Sequence, residues 1–284
     1  MRQIVVISGK GGTGKTVLTS SFASLARNKV MVDCDVDAAD LHIILRPRIK
    51  EKHIFRSGYT AEVDAAKCTG CGSCLRACRF GAISPGFSID ELSCEGCGLC
   101  SRICPSGAID MEERVCGEWF ISDTVYGKMV HAKLGIAQEN SGKLVAKVKQ
   151  AAKEIAEAEG CGHIIIDGPP GIGCPVIASL SGADLAVIVT EPTLSGIHDL
   201  KRVLGLTSHF KVEAGVVVNK YDINIRNMQE IELFCLENGI CLLGRIPFSS
   251  EVSRSIVKCV PAVDHMENDV SSEIRAIWGK IKGR

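Results

Sequence analysis

The sequence has no excess of charge, because 33 lysines and arginines balance 33 aspartates and glutamates. That balance argues against a general attraction to nucleic acid or to an anionic membrane surface. Long hydrophobic runs are missing too: no stretch approaches the ~18 consecutive apolar residues that a spanning helix requires. The first residues enter an apolar segment directly, without the basic, apolar and small-residue zones of a secretory leader. A cytoplasmic location is therefore expected, with neither nucleic acid nor membrane as partner. In that setting the fifteen cysteines of this 284-residue chain point to reduced thiols and metal ligation, not to disulfides. The length suffices for one large core and a second small unit.

What the sequence does have begins at Ser8-Gly9-Lys10-Gly11-Gly12-Thr13-Gly14-Lys15-Thr16. An apolar run, Ile4-Val5-Val6-Ile7, precedes it and reads as a buried strand. Val17 to Arg27 follows with apolar residues at helical spacing. Strand, glycine-rich turn and helix start give G-x-x-x-x-G-K-[ST] the context of a phosphate-binding loop. The glycines let backbone N–H groups turn toward phosphate oxygens, and the helix N-terminus adds its positive end. Gly9, Gly11, Gly12, Thr13, Gly14, Lys15 and Thr16 are the expected nucleotide-binding set. Lys15 is expected on the outer phosphates and the Thr16 hydroxyl on Mg²⁺.

Lys10 is a second lysine inside that loop. The string K-G-G-T-G-K-T resembles the deviant phosphate loop of the MinD superfamily, which includes ParA-type ATPases, Mrp-type cluster carriers and the nitrogenase iron protein. The resemblance implies a nucleotide-dependent homodimer in which Lys10 reaches the partner's nucleotide. It also implies a catalytic role for Asp35, the second aspartate of Asp33-Cys34-Asp35, in placing Mg²⁺ and the attacking water. His163-Ile164-Ile165-Ile166-Asp167 is a further buried strand, and Asp167-Gly168-Pro169-Pro170-Gly171 resembles the family's second switch. Asp167 is then expected to hold Mg²⁺ or its water. Asn219-Lys220-Tyr221-Asp222 follows another apolar strand. An N-K-x-D string can recognise guanine through its aspartate, whereas in the resembled family an asparagine at this place contacts adenine, helped by backbone near a proline such as Pro247. ATP is the expected nucleotide and GTP the alternative. Cys174, seven residues after Asp167, resembles a cluster-ligating cysteine of the nitrogenase iron protein and is a candidate metal ligand.

The composition changes between about residues 62 and 114. Cys68, Cys71, Cys74 and Cys78 recur, after a shift of 26, as Cys94, Cys97, Cys100 and Cys104. Gly70/Gly96, Gly72/Gly98, Arg76/Arg102 and Gly81-Ala82-Ile83/Gly107-Ala108-Ile109 recur with them, so the segment is an internal duplication. Two C-x2-C-x2-C-x3-C runs are the signature of a bacterial two-cluster ferredoxin. Three close thiolates wrap three corners of a cubane, and the fourth comes from the other half. One [4Fe-4S] cluster then takes Cys68, Cys71, Cys74 and Cys104, and the other takes Cys94, Cys97, Cys100 and Cys78. Structural zinc sites more often pair two separated C-x2-C knuckles. Pro105 follows Cys104 as that pattern expects, but Arg79 stands where a proline belongs after Cys78. Cys34, Cys116, Cys161, Cys235, Cys241 and Cys259 lack such spacing and read as structural.

Elsewhere, Lys50 to Asp64 alternates loosely and reads as a hairpin. Glu118 to Ser122 and Met129 to Leu134 read as strands, and 141 to about 159 as a helix. Asp184 to Thr190, Gly215 to Asn219 and Ile240 to Ile246 read as strands separated by helical segments. Ile274, Ile277, Trp278 and Ile281 share one helical face, expected to pack on the core. His131 and His198 lack partners at metal spacing and read as packing or surface residues.

The expected fold is α/β, a mostly parallel doubly wound P-loop NTPase sheet (residues 1–61 and 115–284) with an inserted small α+β bacterial-type ferredoxin domain (62–114). The expected function couples a nucleotide-driven dimer switch to electron delivery to an unidentified redox or metallocofactor protein. A scaffold or carrier of clusters is the alternative, and a spatial-organising ATPase ranks third.

Overall fold

The computed structural model describes residues 1–135 and 141–283. Its chain runs β1 (Arg2–Ser8), α1 (Lys15–Leu25), β2 (Lys29–Asp33), α2 (Leu41–Leu45) and β3 (Arg48–Val63). It continues through α3 (Ser73–Ala77), α4 (Leu99–Ile103), β4 (Ile109–Thr124), β5 (Gly127–Leu134) and α5 (Ser141–Ala158). Then come β6 (His163–Pro170), α6 (Cys174–Leu180), β7 (Leu185–Thr190), α7 (Leu194–His209), β8 (Glu213–Asn219) and α8 (Ile225–Glu237). The chain closes with β9 (Cys241–Ile246), α9 (Ser250–Val257), α10 (Ala262–His265) and α11 (Asp269–Lys282).

Among the described residues these strands form one nine-stranded sheet, ordered β3-β4-β5-β2-β6-β1-β7-β8-β9. Every pairing from β5 through β2, β6, β1, β7 and β8 to β9 is parallel. Parallel strands with helical crossovers bury both faces, which is why their sequences are unbroken apolar runs. Ile4, Val5, Val6 and Ile7 are all fully buried. Ile4 and Val6 join a core with Leu18 and Phe22 of α1 and with Ile274, Ile277 and Trp278 of α11. The Phe22 and Trp278 rings lie 5.1 Å apart. The amphipathic last helix is thus a core element, held at its start by a capping box in which Asn268 Oδ1 accepts from Ser271 N–H. Among the described residues no helix is long and apolar enough to cross a membrane.

Strand β1 has β6 on one side and β7 on the other. Chain order reverses there, which opens a crevice at the carboxyl ends of the strands where ligands bind in such sheets.

The chain divides into two compact units, and the second takes in Ile54–Gly117. That unit reaches into strand residues on both sides of 62–114, because β3 and β4 are each sixteen residues long. The hairpin expected over Lys50 to Asp64 is not formed; Lys50 to Val63 lie in the single strand β3. Gly58 inside it has φ +75, so a local irregularity is absorbed by a glycine without turning the chain back. Ala61, Cys74, Ile83 and Ile109 make this unit's small core.

His131 in β5 is buried, with its ring 5.0 Å from Phe120 and 6.4 Å from His42. Its Nε2 lies 3.0 Å from Ser122 Oγ. Burial, reinforced by His42, brings its pKa down to about 4. The unfolded chain takes up this proton below about 6.5 while the folded one does not, so His131 withdraws stability as pH falls from about 6.5 toward about 4. A neutral His131 imidazole is expected at pH values as low as about 5. The check is its nitrogen chemical shifts, assigned with His131→Gln; a midpoint near 6.5 would contradict the packing argument.

Candidate functional site

The phosphate loop joins β1 to α1, and two of its residues require glycine. Gly12 and Gly14 have φ +76 and +95, the left-handed region that side chains strain. A Cβ at Gly14 would also overlap Nδ2 of Asn219, and one at Gly9 would overlap Asp199. Around Gly11 and Gly12 there is open space. Beside it Thr13 is 2 % exposed, and its hydroxyl is buried without a hydrogen-bond partner. A buried orphan hydroxyl is unfavourable unless a ligand completes it. An open cradle of backbone next to such a hydroxyl, at a helix start, fits the phosphates of a nucleotide. Lys15, the first residue of α1, is itself buried.

Acidic residues gather at the ends of the adjacent strands. Asp33 of β2 and Asp167 of β6 are register partners, each only 1 % exposed. Asp167 Oδ1 accepts from the Thr19 hydroxyl at 2.8 Å. Burial raises its pKa, while Lys15, Thr16 and Thr19 pull in the other direction. Asp33 is raised further still, by burial and then by Asp167. Asp35 is pushed up to about 6 by burial in spite of Lys15. Carboxylates held above their ordinary range near a lysine form a ready site for a divalent cation, which repays their desolvation. Asp33 was not singled out from the sequence, yet it shapes this corner. Its Oδ1 accepts from Asp35 N–H at 3.1 Å and its Oδ2 from Leu41 N–H at 3.2 Å, closing the segment that carries Asp35. The two-residue spacing of Asp33 and Asp35 at a strand end was the available signal.

Lys10 does not stand free. Its Nζ lies 3.2 Å from Glu191 Oε2 and 3.4 Å from Thr193 Oγ1. The other oxygen of Glu191 takes Lys220 Nζ at 2.6 Å. Glu191 was missed because its partners are remote in sequence.

The base-recognition string is likewise engaged. Asn219 Nδ2 donates to the Thr13 carbonyl at 2.8 Å, tying β8 to the phosphate loop. Asp222 Oδ1 accepts from Phe248 N–H at 2.8 Å, which fastens the segment after Pro247 beside it. With Lys220 on Glu191 and Asp222 on Phe248, neither charged residue of N-K-x-D is left over for guanine. The second switch is bonded through Gly171 N–H to Ser8 O at 2.8 Å. Cys174 begins α6, exposed, against Gly142.

The second unit has its own candidate site. Cys78, Cys94, Cys97 and Cys100 line one cavity of about 280 Å³, and Cys68, Cys71, Cys74 and Cys104 line another pocket. The halves of the duplication interleave: Asp64 N–H donates to Ala108 O and Asp90 N–H to Ala82 O, both at 2.8 Å. Gly72 and Gly98 precede α3 and α4 with φ +71 and +70, so the repeat extends to the backbone. All eight thiols are free. Among the described residues no group of three or more His, Cys, Asp or Glu side chains converges on one metal-ion position.

Alanine at Gly14 is expected to weaken binding of an ATP analogue more than about tenfold while leaving the circular dichroism spectrum unchanged. Calorimetric titration decides, and parental affinity would mean that Asn219 yields without consequence.

A family model described as the CobQ/CobB/MinD/ParA nucleotide binding domain matches residues 4–261. An uncharacterized protein of Methanocaldococcus jannaschii is 35% identical, over 99% of this chain and 96% of that protein. The septum site-determining protein MinD of Bacillus subtilis is 24% identical over 99% of this chain and 88% of its own length. Among solved structures, the cell division ATPase MinD of Pyrococcus furiosus superposes with a TM-score of 0.60 at 18% identity, covering 99% of this chain and 98% of that one. The septum site-determining protein MinD of Pyrococcus horikoshii, complexed with Mg-ADP, has the same score over 99% and 95%.

These likenesses correct the function expected from the cysteines. Along nearly its whole length the chain resembles septum-site ATPases. Electron delivery to a redox or metallocofactor partner, and the cluster-carrier alternative, are withdrawn in favour of the MinD-like reading that had ranked third. Eight cysteines within residues 68–104 dominated the expectation, while the likeness spans the nucleotide machinery on both sides of them. The fold is that of an α/β P-loop NTPase with a mostly parallel sheet, and the chain belongs to the CobQ/CobB/MinD/ParA nucleotide binding domain family.

Proposed function

We propose that the chain is an ATP-driven switch of the MinD kind, which binds Mg-ATP in the phosphate loop, pairs with a second copy of itself and hydrolyses the nucleotide to part again. The observation that carries this reading is the corner formed by buried Lys15, Asp33 and Asp167 with half-buried Asp35, beside the orphan Thr13 hydroxyl. Lys15 takes the outer phosphates, with backbone N–H groups from Gly9 to Gly14 around them. Thr16 and Asp167 would hold Mg²⁺, which supplies neutralising charge at the phosphate oxygens. Asp35 orients the attacking water. Asn219 and backbone near Pro247 receive the base, and the engagement of Asp222 by Phe248 favours adenine over guanine.

Lys10 is the residue that makes pairing productive. In a single chain it is paired with Glu191, so it must exchange that carboxylate for a phosphate of the second copy. A positioned cation is worth most where charge spreads over the transferring group. Lys10→Ala is expected to lower ATP hydrolysis on the order of a hundredfold while retaining nucleotide binding. Sedimentation of the parental chain with a non-hydrolysable ATP analogue is expected to give a dimer, and without nucleotide a monomer. Parental turnover by the variant, or one mass in both nucleotide states, would refute the paired mechanism. Cys174 lies at the start of α6 next to the second switch, and we assign it to the surface that pairing covers.

The second unit, in this reading, is a bacterial-ferredoxin-like insert holding two [4Fe-4S] clusters. A single ion needs donors within ~2.3 Å of one point, which the described side chains do not offer. A cubane instead spreads its four thiolates around separate corners, and two pockets with four cysteines each suit that demand. When bound, such clusters hold their surrounding loops and change charge by single electrons. Anaerobically prepared protein is expected to carry about eight irons per chain. Cys104→Ser should disturb the set of Cys68, Cys71 and Cys74 and spare its own sequence neighbours. Zinc in place of iron would return the unit to a structural role.

A further inference from the structure

The duplication is broken at one residue that matters for the second cysteine set. Arg76 and Arg102 repeat across the shift of 26, but the counterpart of Arg114 is Ser88, whose hydroxyl is spent on Ser84 at 2.7 Å. Arg114 reaches the loop that leads into Cys94: its Nη2 donates to the carbonyls of Glu91 and Cys94, both at 2.6 Å. Its Nε is buried and has no hydrogen-bond partner within the protein. The hydroxyl of Thr60 is in the same condition.

The Arg114 guanidinium thus lies against the Cys94 backbone, and Thr60 precedes Ala61, which lines the same cavity as Cys94. The fit is close on the strand side, since a Cβ at Gly96 would overlap the Tyr59 carbonyl. Glu95, Arg79 and Arg102 border the cavity that Cys94 lines. Arg102 has its match in Arg76, whose Nη1 donates to the Cys71 carbonyl at 3.3 Å in the first set. Arg114 has none.

We propose that Arg114 and Thr60 are positioning residues for the second cluster site, donating their unpaired N–H and O–H to sulfur at the Cys94 corner and raising the reduction potential of that cluster alone. The inference rests on the cluster reading above. Hydrogen bonds to sulfur and a nearby cation favour the reduced, more negative state of a cluster, and both act strongly away from water. The first set has half-buried Ser73 and Ser106 hydroxyls at Cys71 and Cys104, but no buried orphan donor among the described residues. The two sites, alike in ligands, are therefore unequal in surroundings.

The test is a mediated redox titration of the full-length protein under anaerobic conditions, followed by electron paramagnetic resonance. Each cluster takes one electron from the electrode. The parental chain should give two waves, and the wave surviving in Cys104→Ser identifies the Cys94 site. Arg114→Gln is expected to lower that wave and leave the other in place, with iron still at about eight per chain. Thr60→Val, which keeps the shape of the side chain and leaves Arg114's backbone bonds alone, should move the same wave in the same direction. It carries the test if Arg114→Gln fails to retain iron. Waves that stay put in the iron-loaded variants, or that move together, would overturn the proposal. A parental protein without iron would instead overturn the cluster reading, and this inference with it.

Discussion

Two carboxylates, Asp33 and Asp167, sit side by side on neighbouring strands with almost no access to water. Left alone, such a pair repels itself and loses hydration, and it would shed charge or unfold its surroundings. What keeps it is a set of positive and donating groups drawn from every functional segment. Lys15 comes from the phosphate loop, Thr19 from the first helix, and two N–H groups from the segment that carries Asp35. Phosphate loop and both switch segments are therefore joined through one electrostatic account. A phosphate that draws on Lys15 disturbs that account, and a divalent cation arriving with it restores the balance. On the proposed function, nucleotide occupancy is in this way felt at several loops at once.

The same logic bears on Lys10. An ammonium already satisfied by Glu191 has little reason to leave unless a stronger anion presents itself. Glu191 in turn is shared with Lys220, next to Asn219, which holds the Thr13 carbonyl. The glycine-rich loop, Lys10 and the segment at Asn219 are therefore linked through side chains distant in sequence. Such links suit a molecule that must tell one nucleotide state from another.

Much of this was legible in the sequence, because the relevant signals are local. The apolar run of Ile4 to Ile7, the glycines at 12 and 14, and the aspartates at the end of β2 and within β6 each carry a defined chemistry. The 26-residue repeat was legible for the same reason. Partnerships between remote residues were not: nothing near Lys10 announces Glu191, and nothing near Cys94 announces Arg114. The long strand β3 was misread as a hairpin because its alternation is loose, and only the strand pairings decide that the chain continues. The purpose of the molecule was misread on different grounds. Cysteine spacing reports what a segment can hold, whereas the role of the chain follows from the nucleotide machinery that makes up most of it.

The crossed bonds of the duplicated unit have a consequence for its assembly. Asp64 is bonded to Ala108 and Asp90 to Ala82, so each copy of the repeat completes the backbone of the other. Neither copy has a finished hydrogen-bond set by itself, and neither pocket has four cysteines from one copy. The two repeats are thus interlocked like clasped hands, and they should fold as a single cooperative event. A chain emerging from the ribosome cannot complete the first site when Cys68 to Cys78 appear; it must wait for Cys104, by which time the second set has also arrived. Synthesis order, which separates the repeats, is overruled by a topology that finishes both together.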